Sequence, residues 1–185
     1  MRLHGFRTGL HACGALLTVV SLFPRPAAET EITASSEPQY RLHFYHTHTG
    51  ERLDIVYRRG STYIPEAIAQ LDHYLRDHRT GDVHPFDPRL FDLLFNLTRA
   101  VGHPGGEIDV ICGYRTPWSN AFLRRHSSGV ARHSLHMQAM AIDIRMPGVP
   151  TSLLRDAALK LKRGGVGYYR QSDFVHVDVG RVRQW

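Results

Sequence analysis

The chain has 185 residues, 42% of them hydrophobic and 22% charged. That is ordinary globular composition with room for one domain and its core, and it excludes disordered and fibrous architectures. Lys+Arg 23 against Asp+Glu 17 gives a formal +6, but Arg2, Arg7 and Arg25 stand in an acid-free segment 1–28, and removing those three charges leaves +3, too little to imply a nucleic acid or another polyanionic partner.

Residues 1–28 read as an export signal. A basic, acid-free start to His11 is followed by the uncharged, mostly apolar run ACGALLTVVSLF and the small-residue stretch Pro24 to Ala28, the n, h, c order of a secretory signal. The run falls short of the about 20 apolar residues of a transmembrane helix. Uncleaved, it would act as an N-terminal membrane tether; either way the protein is expected outside the cytoplasmic membrane, in the periplasm. Cys13 would leave with the signal and Cys112 would be the one thiol of the mature chain, so disulfides are not expected. At the end of GEIDVIC, Cys112 reads as a small buried strand residue rather than a nucleophile.

Residues 29–38 are polar and aperiodic and read as a linker, with a single domain over 39–185. Tyr40 to His46 and Arg52 to Arg58 flank Thr49-Gly50 as a hairpin. Ile64, Ile68, Leu71 and Leu75 recur at helical spacing behind Pro65. Asp87 is the expected cap of a second helix, with Pro88 in its first turn, Leu90, Leu93, Leu94, Leu97 and Val101 on its apolar face, and Gly102 as its stop. Beyond it come a strand from Ile108 to Cys112, a short helix near Trp118 to Arg125, a strand from Ala139 to Ile144, a helix near Ser152 to Lys162, and strands at Gly167 to Tyr169 and Phe174 to Val179. The expected fold is therefore α+β: one domain, a central and mainly antiparallel sheet, and flanking helices. No internal repeat is present, and a monomer is expected.

Thirteen histidines make metal or acid–base chemistry worth seeking. Alternation in Ala139-Met140-Ala141-Ile142-Asp143-Ile144 puts Asp143 on a face otherwise lined by methyl groups, and in the last strand His176 and Asp178 oppose Val175, Val177 and Val179. If these strands pair, Asp143 meets His176, with His136 entering from the preceding loop. Two imidazoles and a carboxylate around an open position suit a catalytic zinc ion, although the spacing alone is weak evidence.

These residues stand together with Cys112-Gly113-Tyr114-Arg115, Asn120, Ser134, Gly164-Gly165-Val166-Gly167-Tyr168-Tyr169 and Phe174-Val175-His176-Val177-Asp178. In that ordered combination, from about Tyr40 to Trp185, the chain resembles the zinc peptidases that include the D-alanyl-D-alanine carboxypeptidases, the VanX-type dipeptidases, the hedgehog signalling domain and, most closely, the murein endopeptidase K-like peptidoglycan hydrolases. Their ligand motif, S-x-H-x-x-G-x-A-x-D with a later His, departs here in having Ala139 for Gly, and Cys112 stands where Ser is commoner. The resemblance implies one zinc ion held by His136, Asp143 and His176, with Arg115 clamping a substrate carboxylate or carbonyl and Ser134 orienting His136. It implies the cross-links of the cell-wall peptide as substrate and leaves L,D and D,D specificity open, together with a carboxypeptidase or dipeptidase activity or a non-catalytic zinc-stabilised module.

The general base has two candidates. The VanX type carries an acid three positions before the last zinc-ligating His, where Asp173 stands, and Asp178 is the competitor on the strand itself; the first is slightly favoured. His46 and His48 are expected to be solvated turn residues. His133 is expected near the metal without ligating it.

Overall fold

The computed structural model describes residues 37–127 and 129–185. The segment 1–28 and the linker up to residue 36 lie outside them, so the export reading is not addressed by the fold. Among the described residues no helix is long and apolar enough to cross a membrane.

Strands β1 (Gln39–His46) and β2 (Arg52–Arg59) form the expected hairpin, with Gly50 at φ 73° in its turn. A two-residue strand β3 (Thr62–Tyr63) extends it. Helix α1 (Pro65–Tyr74) buries Ala67, Leu71 and Tyr74. Helix α2 (Arg89–Ala100) buries Leu90, Leu93, Leu94 and Leu97 along one stripe, as the period of 3.6 residues requires. The cap of this helix is Pro88 rather than the expected Asp87, which stands one residue earlier and accepts the backbone N–H of Arg89 at 3.0 Å. Gly102, at φ 70°, ends the helix without the steric cost a Cβ would carry there.

Strand β4 (Glu107–Cys112), helix α3 (Pro117–His126), strand β5 (Ala141–Arg145), helix α4 (Thr151–Leu161) and strands β6 (Gly165–Tyr169), β7 (Phe174–Asp178) and β8 (Arg183–Gln184) complete the chain. All eight strands join one sheet in the order β3-β2-β1-β4-β5-β7-β6-β8. Only the β1–β4 and β6–β8 pairs are parallel, so the α+β, mainly antiparallel expectation holds. Ile108, Val110, Ile142, Ile144, Val175 and Val177 are fully buried and belong to the same core as Leu90, Leu94 and Leu97 of α2 and Leu154 of α4. That packing commits one face of the central strands to the core and leaves the other for chemistry.

Among the boundaries that differ from expectation, one bears on the site. Strand β5 starts at Ala141, not Ala139, because Ala139 sits at φ 49°, ψ 39° and closes a short 3-10 turn over Leu135–Gln138. Glycine in the family motif at this position thus answers to backbone conformation as well as to side-chain size. An L-residue in the left-handed region costs roughly 1–2 kcal/mol, and glycine gives part of that back in unfolded-state entropy. Ala139→Gly is expected to stabilise the protein by about 1 kcal/mol, seen as a thermal midpoint higher by roughly 2–4 °C; a lower midpoint would show that the methyl group packs productively.

Candidate metal and substrate site

The antiparallel pairing of β5 with β7 sets Asp143 directly opposite His176, and β4 brings Cys112 opposite Asp143 on the other side. The row Cys112, Asp143, His176 therefore crosses three neighbouring strands. Cys112 joins it because the ladder slips between Val110 and Cys112: an extra residue, Ile111, turns the next side chain off the core face. The thiol is buried, as expected, and burial pushes its pKa up to about 12.

His136 enters from the 3-10 turn that Ser134 caps. The Ser134 hydroxyl accepts the His136 backbone N–H at 3.3 Å, so its contact is with the main chain and not the ring. The ring is oriented instead by Gly113, whose carbonyl lies 2.7 Å from Nδ1. A carbonyl only accepts, so Nδ1 carries the proton and Nε2 presents its lone pair. On β7 the His176 Nε2 faces Asp178 Oδ2 at 3.1 Å, which by the same reasoning directs the lone pair of Nδ1 the other way. Both lone pairs converge on Asp143 Oδ1, which is 3.2 Å from His136 Nε2 and 2.9 Å from His176 Nδ1, with 3.1 Å between the two nitrogens.

Three acceptors this close repel one another unless a cation or a shared proton lies among them. Burial opposes the charge on Asp143, but the neighbouring imidazoles outweigh it and hold the carboxyl well below its usual range. Desolvation keeps His136 neutral. For His176 burial is outweighed by Asp143 and Asp178, which raise its pKa; the same carboxylates would hold a metal cation at Nδ1. Cys112 Sγ also lies in reach, since it, a His136 nitrogen and an Asp143 oxygen are all within 4.8 Å of one another. The tighter set, at 2.9–3.2 Å, is His136, Asp143 and His176.

Asp178 is fully buried and spoken for on every side. It accepts backbone N–H groups of Gly165 and Gly180 at 2.9 Å and pairs with Arg183 at 2.7 Å. His176, Arg183 and these N–H groups overcome its burial and lower its pKa. The glycine block before β6 follows from this closeness: a Cβ at Gly164 would collide with the Asp178 carbonyl, and one at Gly165 with its carboxylate. Asp173 lies elsewhere. It is an exposed turn residue at φ 52° whose Oδ1 accepts the Thr151 hydroxyl at 2.9 Å, at the start of α4.

A cavity of about 640 Å³ opens over the row, a size suited to a peptide-sized ligand. Arg115 lines it, buried, with its guanidinium 3.8 Å from Asp143 Oδ2 and its Nε without a hydrogen-bond partner. Ser134 and His133 also line it, whereas Asp173 and Asp178 do not. Sequence reasoning missed two parts of the lining. One wall is Trp185, its ring 5.1 Å from that of His176, with its indole N–H donated to the Tyr169 hydroxyl. Gly167 is opposite His176 on β6, and a Cβ there would strike the indole. The other wall is His48, His78 and Arg79, which share no sequence spacing that would have united them. His46, expected to be solvated, is instead fully buried behind them.

Two fixed imidazole tautomers aimed at one carboxylate, with a buried guanidinium beside them, coincide with what comparison finds. The family profile described as peptidoglycan L,D-endopeptidase MepK matches residues 33–185. This chain belongs to that family. It is 40% identical over 173 residues to a protein of Haemophilus influenzae named probable peptidoglycan L,D-endopeptidase MepK, covering 93% of this chain and 91% of that one. Against the peptidoglycan L,D-endopeptidase MepK of Escherichia coli strain K12 it is 38% identical over 180 residues, 97% of this chain and 96% of the relative; the Shigella flexneri protein of the same name matches equally.

Proposed function

We propose that this protein is a zinc-dependent endopeptidase that cleaves peptide cross-links of peptidoglycan, of the L,D type, outside the cytoplasmic membrane. The single observation that carries the reading is the convergence of His136 Nε2, His176 Nδ1 and Asp143 Oδ1 within 3.2 Å of one another, with both rings held from behind. One carboxylate and two imidazoles suit zinc and leave a coordination position open. The relatives' names support the substrate, and the signal-like segment 1–28 supports export.

Bound there, zinc would supply a Lewis acid that polarises the scissile carbonyl and acidifies the attacking water. The chain's own residues do the rest. Gly113 and Asp178 hold the ligand rings in one tautomer and one orientation. Ser134 sets the turn that delivers His136. Arg115 offers a planar, charged fork to a substrate carboxylate or carbonyl. Trp185 and Tyr169 shield the His176 side from solvent, which strengthens every charge interaction inside.

Asp178, tied to His176 and Arg183, is the orienting residue in this reading. Asp178→Asn is expected to lower zinc affinity by roughly 10- to 100-fold. Support for Asp173 as proton acceptor is its place three residues before His176; its bond to Thr151 supports a role in anchoring α4. On the second reading, Asp173→Asn retains near wild-type turnover with zinc bound. A fall of roughly 10²- to 10⁴-fold with the metal retained would instead make Asp173 the general base.

The activity is tested by incubating zinc-loaded protein with cross-linked murein, with and without chelator, and identifying the fragments. Chelator-sensitive loss of L,D cross-links is expected. Release of terminal D-alanine, or cleavage confined to D,D cross-links, would redirect the assignment to the carboxypeptidase or D,D-endopeptidase form of the same chemistry.

A further inference from the structure

The charges facing the cavity do not balance. Among its described lining residues Asp143 is the sole side-chain carboxylate, against Arg79, Arg115 and Arg183. Arg183 is neutralised by Asp178, and Arg115 has only the 3.8 Å approach to Asp143, an oxygen donor that a metal would also claim. Arg79 is exposed and, among the described residues, its guanidinium makes no ion pair or hydrogen bond. Two cations beside a metal site repel it and each other, so an anionic ligand with more than one charged group is what this cavity accommodates best.

The position of Arg79 is built. Asp77, fully buried, accepts the Thr116 backbone N–H and hydroxyl at 2.8 Å each, and the Arg79 backbone N–H at 3.0 Å. Its own main chain bonds to Gly81 and Asp82. One carboxylate thus pins the 77–82 loop to the segment that carries Arg115. Beside Arg79 the rings of His78 and His48 stack at 4.2 Å and 10°, with His46 edge-on to His78 at 5.8 Å as the layer beneath. Burial lowers the pKa of both stacked rings, so both are neutral at pH 7; the His48 ring N–H is donated to the Ile111 carbonyl, which leaves His78 as the imidazole with an N–H to offer. A guanidinium carried on a pinned loop beside an imidazole N–H is a receptor for a carboxylate.

We propose that Arg79, backed by His48 and His78, is a subsite for a second carboxylate of the substrate, distinct from the group that Arg115 takes, and that it selects stem peptides whose diamino-acid side-chain carboxyl is free over those in which it is a carboxamide. The inference rests on the peptidoglycan reading above and adds a specificity determinant to it. An amide cannot replace the acid here, because it carries no charge to offset Arg79 and turns an N–H₂ group towards donors.

The test uses two cross-linked peptide dimers that differ only in that carboxyl, free or amidated. Binding to zinc-free protein is measured by calorimetry, and KM and kcat on the zinc-loaded protein. The free acid is expected to bind about tenfold more tightly, the size of one charge-assisted hydrogen bond. Arg79→Gln is expected to abolish the preference by weakening the free acid alone, while Arg79→Lys keeps part of it. Equal binding of both peptides by the unmodified protein, binding of neither, or a preference that survives Arg79→Gln and disappears in Arg115→Gln would each overturn the proposal. A preference for the acid that depends on Arg79, without cleavage of either peptide, would uphold the subsite and sink the endopeptidase reading.

Discussion

Replacing His136, Asp143 or His176 by alanine is expected to remove stoichiometric zinc and abolish hydrolysis. Each side chain supplies one of three donor atoms that lie 2.9–3.2 Å apart, and three protein ligands leave no redundancy. Activity should fall by well over the roughly 10²-fold that loss of a supporting residue costs, and added zinc should not restore it at concentrations that saturate the unmodified protein. Elemental analysis checks the first part and fragment analysis the second. Cys112→Ser is the control: its Sγ belongs to the wider 4.8 Å grouping, so this variant should retain its metal. Full zinc in all three alanine variants, or loss of zinc in Cys112→Ser alone, would replace the proposed ligand set.

Arg115→Ala is expected to lower turnover by roughly 10²-fold or more, through lost positioning of the substrate, while zinc content stays intact. The separation of effects has a structural reason. The hydrogen bond that ties this segment to the ligand turn is made by the Arg115 backbone N–H to the His136 carbonyl, and truncating the side chain leaves it in place. Arg115→Lys should recover little, because a point charge on a flexible stem does not reproduce a planar two-pronged donor. Wild-type turnover in the alanine variant would reduce Arg115 to a buried structural cation.

Much of this site is legible in the chain because two strands with a strict period of two can bury only one face. Met140, Ile142 and Ile144 against Asp143, and Val175, Val177 and Val179 against His176 and Asp178, declare which side is core. The observed pairing of Asp143 with His176 follows once those strands are neighbours. Helix α2 was equally plain, with its Asp-Pro start, apolar stripe and glycine stop all local signals.

The rest depends on contacts between segments far apart in the sequence. Nothing in GEIDVIC announces the slipped register after Val110 that turns Cys112 towards Asp143; a bulge is decided by the partner strand. Alternation puts Asp178 on the same face as His176 and so makes it a candidate base; what the sequence does not show is that its oxygens are buried and bonded to His176, Arg183 and the backbone N–H groups of Gly165 and Gly180. The second wall, His48, His78 and Arg79, comes from the β1–β2 turn and the loop after α1, and meets Arg115 only because buried Asp77 reaches Thr116. Local pattern thus determined the strands, the helices and which residues could meet a metal, since those follow from periodicity and side-chain chemistry. Tertiary structure decided which carboxylates are enclosed, which imidazoles share a wall and where Arg79 and Arg115 face, since each is settled by which distant groups fill the space around it.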